Sequence, residues 1–185
     1  TRGSELLIPI LQGIRTRKRL VITHRKFVSN DAIEYRIDPY LLREYRNRWY
    51  VIAWNELKGQ FRTYGLDRIE NVQSTTETYP PQLKFNADEF FIHSFGISKI
   101  SEHPRDIRIH CDRLQYEYLS SQPVHSSQKL IQINPERFEV QLHVLLTFEL
   151  VQFLMGLGPA VEVIEPFELK SLIKNQLEKT LEYYR

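Results

Sequence analysis

The run Trp49-Tyr50-Val51-Ile52-Ala53-Trp54 is almost wholly apolar or aromatic, and its residues favour a pleated strand. Turn residues bracket it, with Arg46-Asn47-Arg48 before and Lys58-Gly59 after. Upstream, Glu34 to Tyr45 predicts an extended stretch in which Pro39 demands an edge or a bulge, because proline cannot donate to a ladder. Leu20-Val21-Ile22-Thr23-His24 predicts a strand before that, with Ser29-Asn30-Asp31 as its turn. Downstream, Phe61 to Leu66 and Asn71 to Tyr79 predict two more. Short strands with turns about every dozen residues point to a small antiparallel barrel. Ahead of it, Ser4 offers an N-cap, and Leu6, Leu7, Ile10, Leu11 and Ile14 follow at helical spacing. Pro9 limits that helix to a short or kinked one.

Pro80-Pro81 marks the end of the barrel, and residues 82–104 read as a connector with one short helix, Ala87 to His93, capped by Asn86. Beyond it the pattern changes. Ile107, Ile109 and Cys111 alternate with Arg108 and His110 as a half-buried strand. Arg113 to Ser121 is helical in pattern. Lys129 to Asn134 and Phe138 to Leu146 are strands around Pro135-Glu136. Thr147 to Leu157 is a helix stopped at Gly156-Leu157-Gly158-Pro159, Ala160 to Ile164 a strand, and Pro166 opens a last helix through Leu181. The order β-α-β-β-α-β plus a helix is the split, ferredoxin-like pattern. The expected class is α+β: an N-terminal helix and barrel over 4–80, a linker over 81–104, and a ferredoxin-like unit with a C-terminal helix over 105–185.

The 185 residues suffice for one ordinary domain or two small ones. Cys111 is the one cysteine and cannot form an internal disulfide, which points to a reducing, cytoplasmic setting. No apolar run is long enough to span a bilayer, and the N-terminus carries no signal-peptide pattern. The opening Thr1-Arg2-Gly3-Ser4 lacks a Met and reads as a trimmed start. The net charge of +2 divides into +5 over residues 1–80 and −3 over the rest, and eleven of the first part's fourteen basic residues are Arg. A basic unit joined to an acidic one favours an anionic partner for the first, although such an excess is also ordinary for a solvated surface.

Catalytic patterns are scarce. The six histidines do not fall at metal-ligand spacing, no nucleophile elbow occurs, Gly156-Leu157-Gly158 reads as a helix stop, and Cys111 reads as core. No catalytic residue, metal or cofactor is expected. The binding inventory is richer. Arg62 and Tyr64 share one strand face by alternation and Arg43 and Tyr45 another, while Arg36 lies in the second extended stretch and Arg68 just after the fourth. Guanidinium groups bond phosphate oxygens and aromatic faces stack bases, whereas the competing roles are barrel core for the aromatics and local ion pairs for the arginines.

Arg36-Ile37-Asp38-Pro39-Tyr40, then Trp49-Tyr50-Val51, then Phe61-Arg62-Thr63-Tyr64-Gly65-Leu66-Asp67-Arg68-Ile69 resembles the WYL domain in order and spacing over residues 4–79. Val51 replaces the family's Leu, Tyr64 its Phe, and His24 stands where a Tyr is usual. Residues 105–185 resemble the C-terminal extension that follows WYL domains, through Leu157-Gly158-Pro159 to Glu165-Pro166 and the closing helix. The resemblance implies an Sm-like, SH3-type barrel acting as the ligand-sensing part of a bacterial transcription regulator. It also implies a homodimer and a winged helix-turn-helix, outside this sequence, that reads operator DNA. On it, Arg36, Arg62 and Arg68 would hold phosphate, His24 and Tyr64 would orient or stack a base, and Arg43 would lie beside them. The expected ligand is a nucleotide or single-stranded nucleic acid. The competing reading is a protein-interaction or dimerisation module, of the kind that regulates a phage-defence nuclease or helicase.

Overall fold

The computed structural model describes residues 2–27, 31–80, 85–99 and 103–185. The chain forms two compact units, Thr1–Ala87 and Asp88–Arg185. Of the turn and linker expected above, residues 29–30, 81–84 and 100–102 lie outside the described residues.

Unit 1 opens with a 3-10 turn, Ser4–Leu6, which runs into helix α1, Leu7–Thr16. Pro9 sits in its first turn, where its missing N–H costs no bond, so the helix is neither broken nor ended there. Five strands follow: β1 (Lys18–Arg25), β2 (Ala32–Tyr45), β3 (Arg48–Asn55), β4 (Gln60–Gly65) and β5 (Ile69–Thr78). They form one antiparallel sheet in the order β4-β3-β2-β1-β5. Arg46 and Asn47 both take positive φ, 49° and 59°, as the two-residue hairpin turn between β2 and β3 requires. The register of β2 on β3 slips between Pro39 and Leu41, the bulge that Pro39 demanded.

A closed barrel was expected, and among the described residues no ladder joins β4 to β5. The sheet is open. Its two edge strands are nevertheless linked by only the 3-10 turn Leu66–Arg68, so the sheet must curl strongly to bring its edges within reach of so short a connection. The inner face carries the core: Ile10 from α1, with Leu20, Ile22, Ile37, Val51, Ala53, Tyr64, Leu66 and Ile69. A Cβ on Gly13 would lie 3.0 Å from the Leu20 side chain, so α1 packs down on β1 at that point.

The short helix α2, Ala87–Phe91, starts at the last residue of unit 1 and lies otherwise in unit 2. Unit 2 continues with β6 (Arg105–Cys111), α3 (Arg113–Ser121), β7 (Lys129–Gln132), β8 (Phe138–Val144), α4 (Phe148–Gly156), β9 (Val161–Glu165) and α5 (Phe167–Glu182). The antiparallel sheet has the order β7-β8-β6-β9, the order a split β-α-β pattern generates. Two caps set the helices: the Asp112 carboxylate accepts from Gln115 N–H at 2.7 Å, and the Thr147 hydroxyl accepts from Leu150 N–H at 3.2 Å. Cys111 lies buried in this core, where burial pushes its thiol up, away from the reactive thiolate.

Candidate ligand site

Residues directly opposite in an antiparallel ladder point to the same side, so the register sorts the unit 1 side chains into two faces. His24 pairs with Ile33, Ile22 with Tyr35 and Leu20 with Ile37. Val51 pairs with Tyr64, Ala53 with Arg62 and Asn55 with Gln60. His24, Tyr35, Arg62 and Tyr64 therefore share the inner face with the core. Arg36 pairs with Val21 and lies on the outer face, as does Arg43, which pairs with Tyr50 beyond the bulge. The six expected residues thus separate into His24, Arg62, Tyr64 and Arg68 on one side, and Arg36 and Arg43 on the other.

His24 lies four residues along β1 from Leu20, or about 13 Å. There the inner face changes from aliphatic to polar aromatic. Its ring is 5.4 Å from that of Tyr64, edge-on, and 6.3 Å from that of Tyr35. Tyr35 and Tyr64 are 5.6 Å apart. The Tyr64 hydroxyl accepts from Asn55 Nδ2 at 2.6 Å, and Asn55 Oδ1 in turn accepts from Lys58 N–H at 2.8 Å in the β3–β4 turn. His24 is 7% exposed, and its buried Nε2 has no hydrogen-bond partner among the described residues. Burial first, and then the nearby charge of Arg68, push its pKa down to about 4, so the imidazole is neutral at physiological pH.

The rim of this cluster is cationic. Arg62 is exposed on the strand that carries Tyr64. Arg68, in the turn after β4, lays its guanidinium over the Phe27 ring at 5.3 Å. Asp67 lies between Arg48, at 3.4 Å, and Arg68, at 4.0 Å. Two glycines make room for this turn. A Cβ on Gly65 would meet Asp67 Oδ1 at 2.6 Å and Arg68 Nε at 3.2 Å, and one on Gly3 would meet the Leu66 carbonyl at 2.5 Å. Gly3 also holds a φ of +85°, open to glycine at little cost. Gly65 therefore lets Arg68 fold back, and Gly3 lets the N-terminal turn close on the backbone beneath it.

The outer face is occupied differently. The buried Asp38 carboxylate accepts from Arg19 Nε at 2.7 Å and Nη2 at 3.2 Å. Arg19 also reaches Glu56 at 2.7 Å and Glu77 at 3.3 Å. Arg36 donates to Glu77 at 2.6 Å and lies 3.4 Å from Glu56. The Arg36 hydrogen bond holds the Glu77 carboxyl below its usual range. Arg36 is thus tied into an acidic network that spans β1, β2 and β5.

Tyr35, Asn55, Asp67 and Phe27 join the site without having been anticipated from the sequence. For Tyr35 the signal was present, since it alternates with Arg36 and so faces the opposite way. In unit 2 the fold sets His93 edge-on to His143 at 4.9 Å and bonds His143 to Asp106 at 2.6 Å. Among the described residues no group of three side chains is placed to hold a metal ion, and no helix is long and apolar enough to cross a membrane.

Residues 5–74 match the WYL domain, and residues 103–181 match the WCX domain. No curated protein matches the sequence significantly. Among solved structures, proteasome accessory factor B/C (PafBC) of Arthrobacter aurescens is 16% identical, over 95% of this chain and 27% of its own, with a TM-score of 0.45. A CRISPR Cas-related protein is 11% identical, over 98% of this chain and 52% of its own, with a TM-score of 0.62. At such identity the second likeness concerns the fold alone, and this chain spans about half the length of that protein. The two domain matches are consecutive and cover both units, so the chain carries a WYL domain joined to a WCX extension and belongs to the WYL–WCX proteins.

Proposed function

We propose that unit 1 is the ligand-sensing module of a transcription regulator, and that the inner face around His24 binds a nucleotide or single-stranded nucleic acid. Arg62 and Arg68 hold phosphate, while Tyr64 and His24 orient a base. Binding is transmitted to a DNA-reading element elsewhere in the protein, and the module carries out no reaction of its own. The observation that carries this reading is the buried Nε2 of His24, unpartnered among the described residues, with Arg68 close to the ring and Arg62 close to Tyr64. A buried polar atom left without a partner is costly, and a ligand can supply the partner. Fluorescence-anisotropy titration with short single-stranded DNA and RNA tests it. Binding should weaken as salt rises and fall about tenfold in Arg62→Ala. No binding at low salt would overturn it.

A second reading, dimerisation, is favoured by a groove of about 640 Å³ in unit 2 between α4, β9 and α5. Leu154, Pro159 and Val163 line it together with Leu177 and Leu181, which are about half exposed. The occupant proposed is α5 of a second copy, running antiparallel. Its basic half, Lys170 and Lys174, then faces the partner helix's acidic half, Glu178 and Glu182. Light scattering should find a dimer that Leu177→Asp converts to monomer. A wild-type monomer would overturn this reading.

A further inference from the structure

We propose that the inner-face site takes up its phosphodiester ligand together with one proton, which His24 accepts. The inference deepens the ligand reading above and rests on it. His24 places a group that can gain a charge at the polar end of the inner face, with its Nε2 buried and without a partner among the described residues.

The surroundings decide when it does so. From β2 the ring faces Tyr35 and Ile33, from β4 Tyr64, and from β5 Ile69. The turn after β4 presents Asp67 and Arg68, and the segment after β1 presents Lys26. Val28, Ser29 and Asn30, which follow Phe27, carry no titratable side chain. Arg25 alternates with His24 and is bonded to Glu70 at 2.5 Å. Among the described residues His24 thus has two cations, Arg68 and Lys26, and one carboxylate, Asp67, as charged neighbours, and that carboxylate already lies near Arg48 and Arg68. Burial first, and then these cations, keep the ring neutral, because a buried imidazolium would have no anion of its own.

A phosphodiester seated on Arg62 and Arg68 reverses this balance. Its negative charge offsets the Arg68 guanidinium and supplies the missing counter-ion. The imidazole nitrogen takes a proton from solvent, and the ring becomes the donor that an anionic oxygen accepts. No bond other than this N–H forms or breaks. By linkage, a ligand that raises the affinity for a proton is itself bound more tightly as pH falls. A phosphodiester keeps one charge throughout the window, so the pH dependence belongs to the protein.

The test uses a fluorescein-labelled oligothymidylate without a terminal phosphate, titrated at constant ionic strength from about pH 7.5 to about pH 5.5. Affinity should rise by about tenfold toward acid pH, as expected when one group changes protonation over a unit or more. Whatever binding His24→Gln and His24→Tyr retain should be weaker than wild type at acid pH and should not vary with pH. A flat wild-type profile with binding intact would overturn the proposal and leave the ligand reading standing. So would a slope that survives in His24→Gln. Absence of binding at every pH would remove both. Calorimetry of the wild-type chain in two buffers of different ionisation enthalpy gives an answer independent of any variant. At about pH 5.5 the binding enthalpy should differ between buffers by the heat of about one proton, and equal enthalpies there would contradict the uptake.

Discussion

The His24 ring stands edge-on to the Tyr64 ring, with centroids 5.4 Å apart and planes at 75°. Such a pair contributes about 0.5–1.5 kcal/mol beyond the area it buries. It also connects strands that are distant in the sheet order, since His24 is on β1 and Tyr64 on β4. The curl of the sheet brings them together, and the polar end of the inner face is a product of that curl.

Tyr64→Phe keeps this ring contact and removes the acceptor for Asn55 Nδ2, a group on a residue only 1% exposed. An unsatisfied buried donor costs about 1–3 kcal/mol. Urea denaturation followed by tryptophan fluorescence should find a loss in that range.

Arg19→Met should cost more. It leaves the Asp38 carboxylate, 3% exposed, without the two hydrogen bonds that pair it. Removing one partner of a buried pair costs about 3 kcal/mol or more. Urea denaturation at neutral pH measures the deficit.

His24 also shapes stability against pH. Its folded pKa, about 4, lies below the ordinary value of 6.5, so the unfolded chain binds more protons between those values. Its contribution is present above pH 6.5 and is lost as pH falls toward 4. His125 in unit 2 is depressed too, chiefly by burial, and adds a loss of the same sign. The check is therefore a difference: wild type should lose more stability than His24→Gln between pH 7 and pH 5, measured by urea denaturation at each pH. Saturating oligonucleotide should lessen the wild-type loss.

Gly65→Ala tests the turn that carries Arg68. The position has φ of −71°, so alanine suits the backbone, and only the ends of the Asp67 and Arg68 side chains must shift. Thermal denaturation should move by a few degrees at most, while oligonucleotide affinity should fall several-fold.

Much of this was legible in the chain. The Pro39 bulge, the Arg46-Asn47 turn and helix α3 follow from local chemistry: a missing donor, two residues at positive φ, and an Asp cap ahead of a helical run. The sorting of the arginines was not legible. Side-chain direction in β2 depends on register, and the bulge changes its parity. Ile37 and Leu42 both face the core although one is odd and the other even, so Arg36 and Arg43 both end on the outer face. The open sheet was also hidden, because closure depends on whether β4 and β5 exchange hydrogen bonds and no local sequence feature decides that.

One measurement decides most directly which face of the sheet holds the ligand. The measurement is oligonucleotide affinity, by anisotropy at low salt, for Arg68→Ala against Arg36→Ala. Arg68→Ala should weaken binding about tenfold, the worth of a charge-assisted phosphate contact, while Arg36→Ala should leave it within about twofold. Loss of binding in Arg36→Ala with Arg68→Ala unaffected would place the ligand on the outer face and contradict the account.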